Sequence, residues 1–244
     1  LMVHEGSHSW YQQMLATNEP LRPWMDEGYT SYAESIVMNE LFPPKDERPN
    51  AFVEKIDAYR NIVKRGIEEP AVWLGDHHDN GTAYSFASYV KGELYLVQLG
   101  YIVGEENLAK IMKVYYDEWH LKHPTDRDFL HIAQNISGMD LKWFHHYWIN
   151  TIKTIDYGIK DVKYEAKSTT ITLVNNSQVP MPIDFSVMTT DKKVITYQIP
   201  MNMTRTWKQK DAFGTFTTEK YWPWTQKEYT LTIPYTKSQL SLLG

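Results

Sequence analysis

Cysteine is absent from the 244 residues, so no disulfide staples the fold. A cysteine-free chain is viable in any redox compartment, so this absence points to none of them. No run approaches the ~20 apolar residues needed to span a bilayer. Charge of one sign is also missing. Twenty-five basic residues stand against 30 acidic ones, a net charge of −5. That balance provides no basic footprint for nucleic acid and no polybasic stretch for a membrane surface. There is no internal repeat and no low-complexity tract. No signal peptide is visible, and a charged motif begins only three residues in. This predicts a fragment, with N-terminal domains of the same protein, and any targeting segment, lying upstream of Leu1.

What is present is enough apolar material for a core. Hydrophobic residues make up 42% of the chain and aromatics 14%, with 9 Trp and 17 Tyr. Rings at this density are read as core packing, a ring-lined cleft being the sharper alternative. The length fits one large or two modest domains. The periodicity changes near residue 157. Before it, apolar residues recur at helical spacing, predicting helices over 2–17, 23–41, about 50–66, 83–99, 105–119, 126–136 and 140–150. Pro23 suits a first turn. Pro43-Pro44 stops the second helix, Gly100 is expected to close the fourth, and Asp140 is the expected N-cap of the last. After it, the period is two. Ile171 and Leu173, then Ile183, Phe185 and Val187, then Ile195, Tyr197 and Ile199, then Tyr229, Leu231 and Ile233 each alternate with other residues. Asn175-Asn176-Ser177 and Asp191-Lys192 supply turns. The expected fold class is α+β, with a mostly α-helical part over 1–157 and a small β-sandwich over 158–244.

His4-Glu5-Gly6-Ser7-His8 is an H-E-x-x-H pattern. On a helix, His4 and His8 lie ~40° apart on one face, so two imidazoles can grip one zinc ion. Glu5 lies ~60° around from His8 and can reach a water without binding the metal. A catalytic zinc takes three protein ligands and keeps one open position. Glu27, after 18 intervening residues, is the candidate third ligand, carried on a second helix that returns antiparallel past the first. Glu34 follows by almost two turns on the same face, a candidate acceptor for a ligand histidine's N–H.

These residues resemble the gluzincin family of aminopeptidase N and leukotriene hydrolase. The likeness rests on His4-Glu5-Gly6-Ser7-His8-Ser9-Trp10 followed by Glu27-Gly28-Tyr29-Thr30-Ser31-Tyr32. It is extended by Tyr89-Val90-Lys91-Gly92, and by Ser137-Gly138-Met139-Asp140-Leu141-Lys142-Trp143-Phe144 with Trp148. The resemblance implies a thermolysin-like zinc metallopeptidase subdomain followed by the family's small β-domain. It implies zinc on His4, His8 and Glu27, Glu5 as base, and Tyr89 as donor to the oxyanion. It implies a peptide substrate, with aminopeptidase activity as the leading expectation. An endopeptidase or epoxide hydrolase on the same scaffold, and a relative without catalysis, are the alternatives. The family's Gly-x-Met-Glu-Asn segment, which recognises a free α-amine, would lie upstream of His4 and separates them.

Other features take blander readings. His77 and His78, flanked by Asp76 and Asp79, are expected in a solvated loop rather than a second metal site, since they are consecutive; that loop could still edge the cleft. His145 and His146 read as half-buried helix residues. Tyr221-Trp222-Pro223-Trp224 reads as packing at a sandwich edge. Asn80, Asn135, Asn175 and Asn202 begin N-x-S/T triplets, which are common by chance.

Overall fold

The computed structural model describes residues 1–43, 50–201 and 215–243. Pro44 and Asn202 fall outside them. The chain divides into two compact units, Leu1–Ile152 and Lys153–Gly244.

The first unit is helical. Its helices are α1 (Met2–His8), α2 (Pro23–Leu41), α3 (Val53–Arg65), α4 (Gly81–Ser85), α5 (Gly92–Val103), α6 (Glu105–Trp119), α7 (Asp126–Ser137) and α8 (Lys142–Asn150). Two expected helices are interrupted. The span expected as 2–17 becomes α1 and then a π-helical turn, Ser9–Met14. The span expected as 83–99 becomes α4, a second π-helical turn at Phe86–Lys91, and α5. Gly100 does not close that helix. A Cβ there would meet the Leu108 side chain at 2.9 Å, so Gly100 makes room for α6, and Gly104, at φ +88°, ends α5. Asp140 is not the N-cap of α8 either. That position is Leu141, and the Asp140 carboxylate accepts from the Lys142 N–H at 3.1 Å. The start of α7 follows its sequence: Thr125 and Asp128 form a reciprocal capping box.

Helix α2 organises this unit. It opens on Pro23 at its first turn, and every residue from Pro23 to Tyr32 is buried. Its rings join a continuous aromatic core. Trp24 meets Tyr95 at 5.2 Å, Tyr29 meets Phe129 at 5.1 Å, and Tyr95 stacks on Phe144 at 5.1 Å between centroids. The abundance of rings therefore goes largely into the core. Polar ties fix the ends. Arg22 Nε donates to Asp126 at 2.8 Å, and the other Asp126 oxygen lies 3.2 Å from His145 Nε2. His145 is accordingly mostly buried, whereas His146 is exposed.

The closest backbone approach is between α2 and the start of α5. A Cβ on Gly28 would lie 2.5 Å from the Gly92 Cα, and one on Gly92 would lie 2.6 Å from the Trp24 carbonyl oxygen. Only glycine at both positions allows this crossing. Next to it, the buried Lys91 ammonium donates to Glu68 at 2.7 Å and to the Thr151 carbonyl at 2.8 Å. The Lys91 carbonyl accepts from the Trp148 indole at 3.0 Å.

Among its described residues the second unit has seven strands: β1 (Tyr157–Tyr164), β2 (Thr169–Asn175), β3 (Ile183–Thr189), β4 (Val194–Ile199), β5 (Thr215–Thr218), β6 (Glu228–Ile233) and β7 (Leu240–Leu243). One sheet has the order β1-β2-β6 and is antiparallel; the other runs β5-β4-β3-β7, antiparallel except for the parallel β4–β5 pair. Ile171, Leu173, Leu231 and Ile233 from the first share one core with Phe185, Val187, Ile195, Tyr197 and Ile199 from the second. The alternating residues thus face inward, as a sandwich requires. Trp222 joins that core, with its indole donating to the Gln226 carbonyl at 2.8 Å, while Tyr221 and Trp224 are exposed.

Gly92→Ala is expected to cost about 2–3 kcal/mol, because a backbone oxygen cannot yield to the new methyl group. Gly6→Ala, whose Cβ meets nothing within 4 Å on α1, is expected to be neutral or to stabilise. Paired thermal melts of the two variants check this.

Candidate active site

Helix α1 places His4 and His8 one turn apart, and their rings stand edge to face with centroids 4.9 Å apart. Helix α2 packs against it and presents Glu27 to both. Glu27 Oε2 lies 3.2 Å from His4 Nε2 and 3.3 Å from His8 Nε2. The three groups can all offer ligand atoms within 4.8 Å of one another. The structure therefore brings together the three residues that spacing singled out.

The other edge of each ring is held by a carboxylate. His4 Nδ1 lies 3.2 Å from Glu34 Oε2, and His8 Nδ1 lies 2.8 Å from Asp26 Oδ1. A carboxylate only accepts, so each Nδ1 carries the ring proton. In the neutral rings, both Nε2 atoms are then bare lone pairs facing a carboxylate oxygen. Three acceptors so arranged repel one another unless a cation stands among them. Their separations also fit one. Ligands bound at ~2.0–2.1 Å around a tetrahedral centre stand ~3.3 Å apart. Glu19, Asp26 and Glu27 form a second group with ligand atoms within 4.8 Å. There Asp26 is already committed to His8, and an all-carboxylate set suits a harder cation.

Tyr89, on the π-helical turn before α5, completes the cluster. Its hydroxyl donates to Glu27 Oε1 at 2.7 Å, and its ring stacks on His4 at 5.6 Å. Burial, and then the Glu27 carboxylate, push the phenol far above its usual range, so Tyr89 keeps its proton and acts as a donor. Glu5 is exposed on α1, and among the described residues no hydrogen bond or ion pair occupies its carboxylate. π-Helical turns recur at functional sites, and both of those here adjoin this one: Ser9–Met14 follows His8 and Phe86–Lys91 contains Tyr89.

Asp26 is the contact that spacing did not single out. Its signal is adjacency to Glu27, but on a helix adjacent residues point ~100° apart, and nothing in the pattern says that His8 lies on that side. Burial pushes its carboxyl up to about 6, against the opposing pull of His8. The loop reading of His77 and His78 needs a correction. His77 is exposed, but the His78 side chain is 1% exposed and its Nδ1 lies 2.6 Å from Glu69 Oε2. The ring packs between Trp73 and Tyr84.

Residues 1–148 match the Peptidase family M1 domain. The chain belongs to this family. Aminopeptidase B of Rattus norvegicus is 27% identical over 135 residues, which cover 53% of this chain and 21% of that protein. Aminopeptidase N of Streptomyces lividans is 23% identical over 155 residues, covering 62% and 18%. The chain thus spans about a fifth of the length of these curated relatives. Among solved structures, Legionella pneumophila aminopeptidase A in complex with aspartic acid aligns with a TM-score of 0.57 at 15% identity, covering 97% of this chain and 24% of that one. An M1 zinc metallopeptidase from Deinococcus radiodurans, a mutant bound to a Tyr-Ser-Ala substrate, aligns with a TM-score of 0.50 at 16% identity over 61% and 32%. At such identities the two structures show the fold alone. No helix among the described residues is long and apolar enough to cross a membrane.

Asp26→Asn and Glu34→Gln are each expected to weaken metal binding about 10–100-fold by releasing ring orientation and proton placement at His8 and His4. Competition with a chelator of known affinity measures this, with circular dichroism showing unchanged helix content.

Proposed function

We propose that the chain carries the zinc site of an M1 aminopeptidase, which removes N-terminal residues from peptides. The observation that supports this most is the convergence of the two Nε2 atoms and the Glu27 carboxylate, 3.2 and 3.3 Å apart, with both Nδ1 atoms turned to carboxylates. Two imidazoles and one carboxylate are a ligand set of catalytic zinc. The curated relatives are aminopeptidases, which favours that reaction over the endopeptidase and epoxide hydrolase alternatives.

In this reading His4, His8 and Glu27 hold the ion. Zinc bound at such a site supplies Lewis acidity and lowers the pKa of water to ~7. Glu5, exposed and uncommitted, takes the proton from the attacking water and passes it to the leaving amine. Tyr89 donates its phenolic proton's hydrogen bond to the carbonyl oxygen as negative charge develops there. A donor in that role is worth roughly 3 kcal/mol. Its raised pKa serves this role, since a phenolate could not donate.

The first test is zinc content after dialysis against metal-free buffer. About one zinc per chain is expected, and it should be lost in Glu27→Gln. Zinc retained at full stoichiometry in that variant would remove Glu27 from the ligand set. In the full-length enzyme, Glu5→Gln should keep zinc and lose hydrolysis of aminoacyl anilides; retained turnover would sink the base assignment. Tyr89→Phe should lower kcat on the order of a hundredfold with zinc unchanged.

A further inference from the structure

Tyr89 lies inside the π-helical turn Phe86–Lys91, and both ends of that turn are gripped by other elements. At its start, the Tyr59 ring, carried on α3, stacks on Phe86 at 5.7 Å and on Trp148 at 5.8 Å. At its end, the buried Lys91 ammonium donates to Glu68 at 2.7 Å and to the Thr151 carbonyl at 2.8 Å. The Lys91 carbonyl accepts from the Trp148 indole at 3.0 Å. We propose that Lys91 and Glu68 are positioning residues for Tyr89: their buried pair holds the turn in its π-helical register and so keeps the phenol aimed at the reacting carbonyl oxygen. This rests on the zinc peptidase reading of the cluster that Tyr89 joins.

Three observations support this. First, the pair is costly where it stands. The Lys91 and Glu68 side chains are 1% and 5% exposed. Burial lowers the Lys91 ammonium and raises the Glu68 carboxyl, each against the pull of the other. Apolar residues of similar volume often fill such a place with no loss of stability, so what the pair adds is direction. Second, a π-helical turn needs direction. Its hydrogen bonds skip one residue more than those of an α-helix, so relaxation to the α-helical register would rotate Tyr89 about the axis relative to Gly92. Gly92 cannot turn to compensate, because it is pressed against Gly28. Third, the ties reach Lys91 from separate places: Glu68 in the loop after α3, and Trp148 and Thr151 at the end of α8. The end of the turn is thereby fixed against rotation as well as withdrawal. The group that gains is the Tyr89 hydroxyl, held 2.7 Å from Glu27 Oε1.

The test is a double-mutant cycle in the full-length enzyme with an aminoacyl anilide. Glu68→Leu/Lys91→Met replaces the pair with apolar groups and leaves no buried charge unpaired. It should lower kcat roughly tenfold or more, with KM within about twofold and zinc unchanged. Placed on Tyr89→Phe, the same two substitutions should lower kcat by less than about twofold further, because the donor they serve is already gone. Hydrogen exchange gives a readout apart from turnover: amides 86–91 should exchange roughly tenfold faster in the double variant, with those of α7 unchanged. Should the double variant not fold, Glu68→Gln, which leaves Lys91 an uncharged acceptor, should lower kcat about threefold with zinc and KM unchanged. An unaltered kcat, unaltered exchange of the turn, a loss explained by zinc or KM, or equal losses with and without Tyr89 would overturn the proposal. Equal losses beside a strong effect of Tyr89→Phe overturn this inference alone; a Tyr89→Phe enzyme with full kcat overturns the donor role in the peptidase reading and this inference with it.

Discussion

The site depends on one carboxylate being held where it would otherwise be costly. Glu27 is buried, faces two histidine nitrogens with one oxygen and accepts from Tyr89 with the other. A carboxylate removed from water is expensive unless it is paired. Here the fold forces the position by packing. The first half of α2 is buried on every side, and Gly28, the next residue, is pressed against Gly92. That contact leaves α2 no freedom to turn Glu27 outward. It also sets the distance to Tyr89, which sits three residues before Gly92 on the π-helical turn. Lys91, between them, is pinned by Glu68 and the Thr151 carbonyl. Donor and acceptor are thus located by backbone contact and by a buried ion pair, not by flexible side chains.

The site was legible in the sequence where local geometry decides. Four residues from His4 to His8 is one helical turn, so the shared face needs no tertiary information. Pro23 marks a helix start for a local reason as well, its ring fitting the first turn. Glu27 is intermediate: its spacing permits an antiparallel return, and the family resemblance names it, but only the packed helices show it within 3.3 Å of both rings. The alternation of Phe185, Val187, Ile195, Tyr197 and Ile199 likewise shows inward faces, while the sheet order and the parallel β4–β5 pair come from pairings that no local pattern encodes.

What stayed hidden is tertiary in origin. Both π-helical turns add a residue to a turn without changing residue type, so the pattern at Ser9–Met14 and Phe86–Lys91 looks like ordinary helix. Gly100 and Gly104 look alike in sequence; one makes room for Leu108 and the other takes the positive φ that ends α5. His78 looked solvated because its partner, Glu69, lies nine residues away in another loop segment and its covering rings, Trp73 and Tyr84, lie on either side in sequence.

The distribution of charge explains why a cation belongs here. The net charge of −5 is mild, yet Glu19, Asp26, Glu27 and Glu34 all gather around two rings whose Nδ1 protons are already committed. Neutral imidazoles do not balance those charges. At Asp26, burial and then the Glu27 carboxylate disfavour the charged form and raise the carboxyl to about 6 against the pull of His8. A divalent ion held by the Nε2 atoms and Glu27, as proposed above, would offset the negative charge where lone pairs already converge. In the zinc reading proposed above, the carboxylates behind the histidines would strengthen the rings as ligands, and Glu5 would stand outside the cluster, free to act as the base.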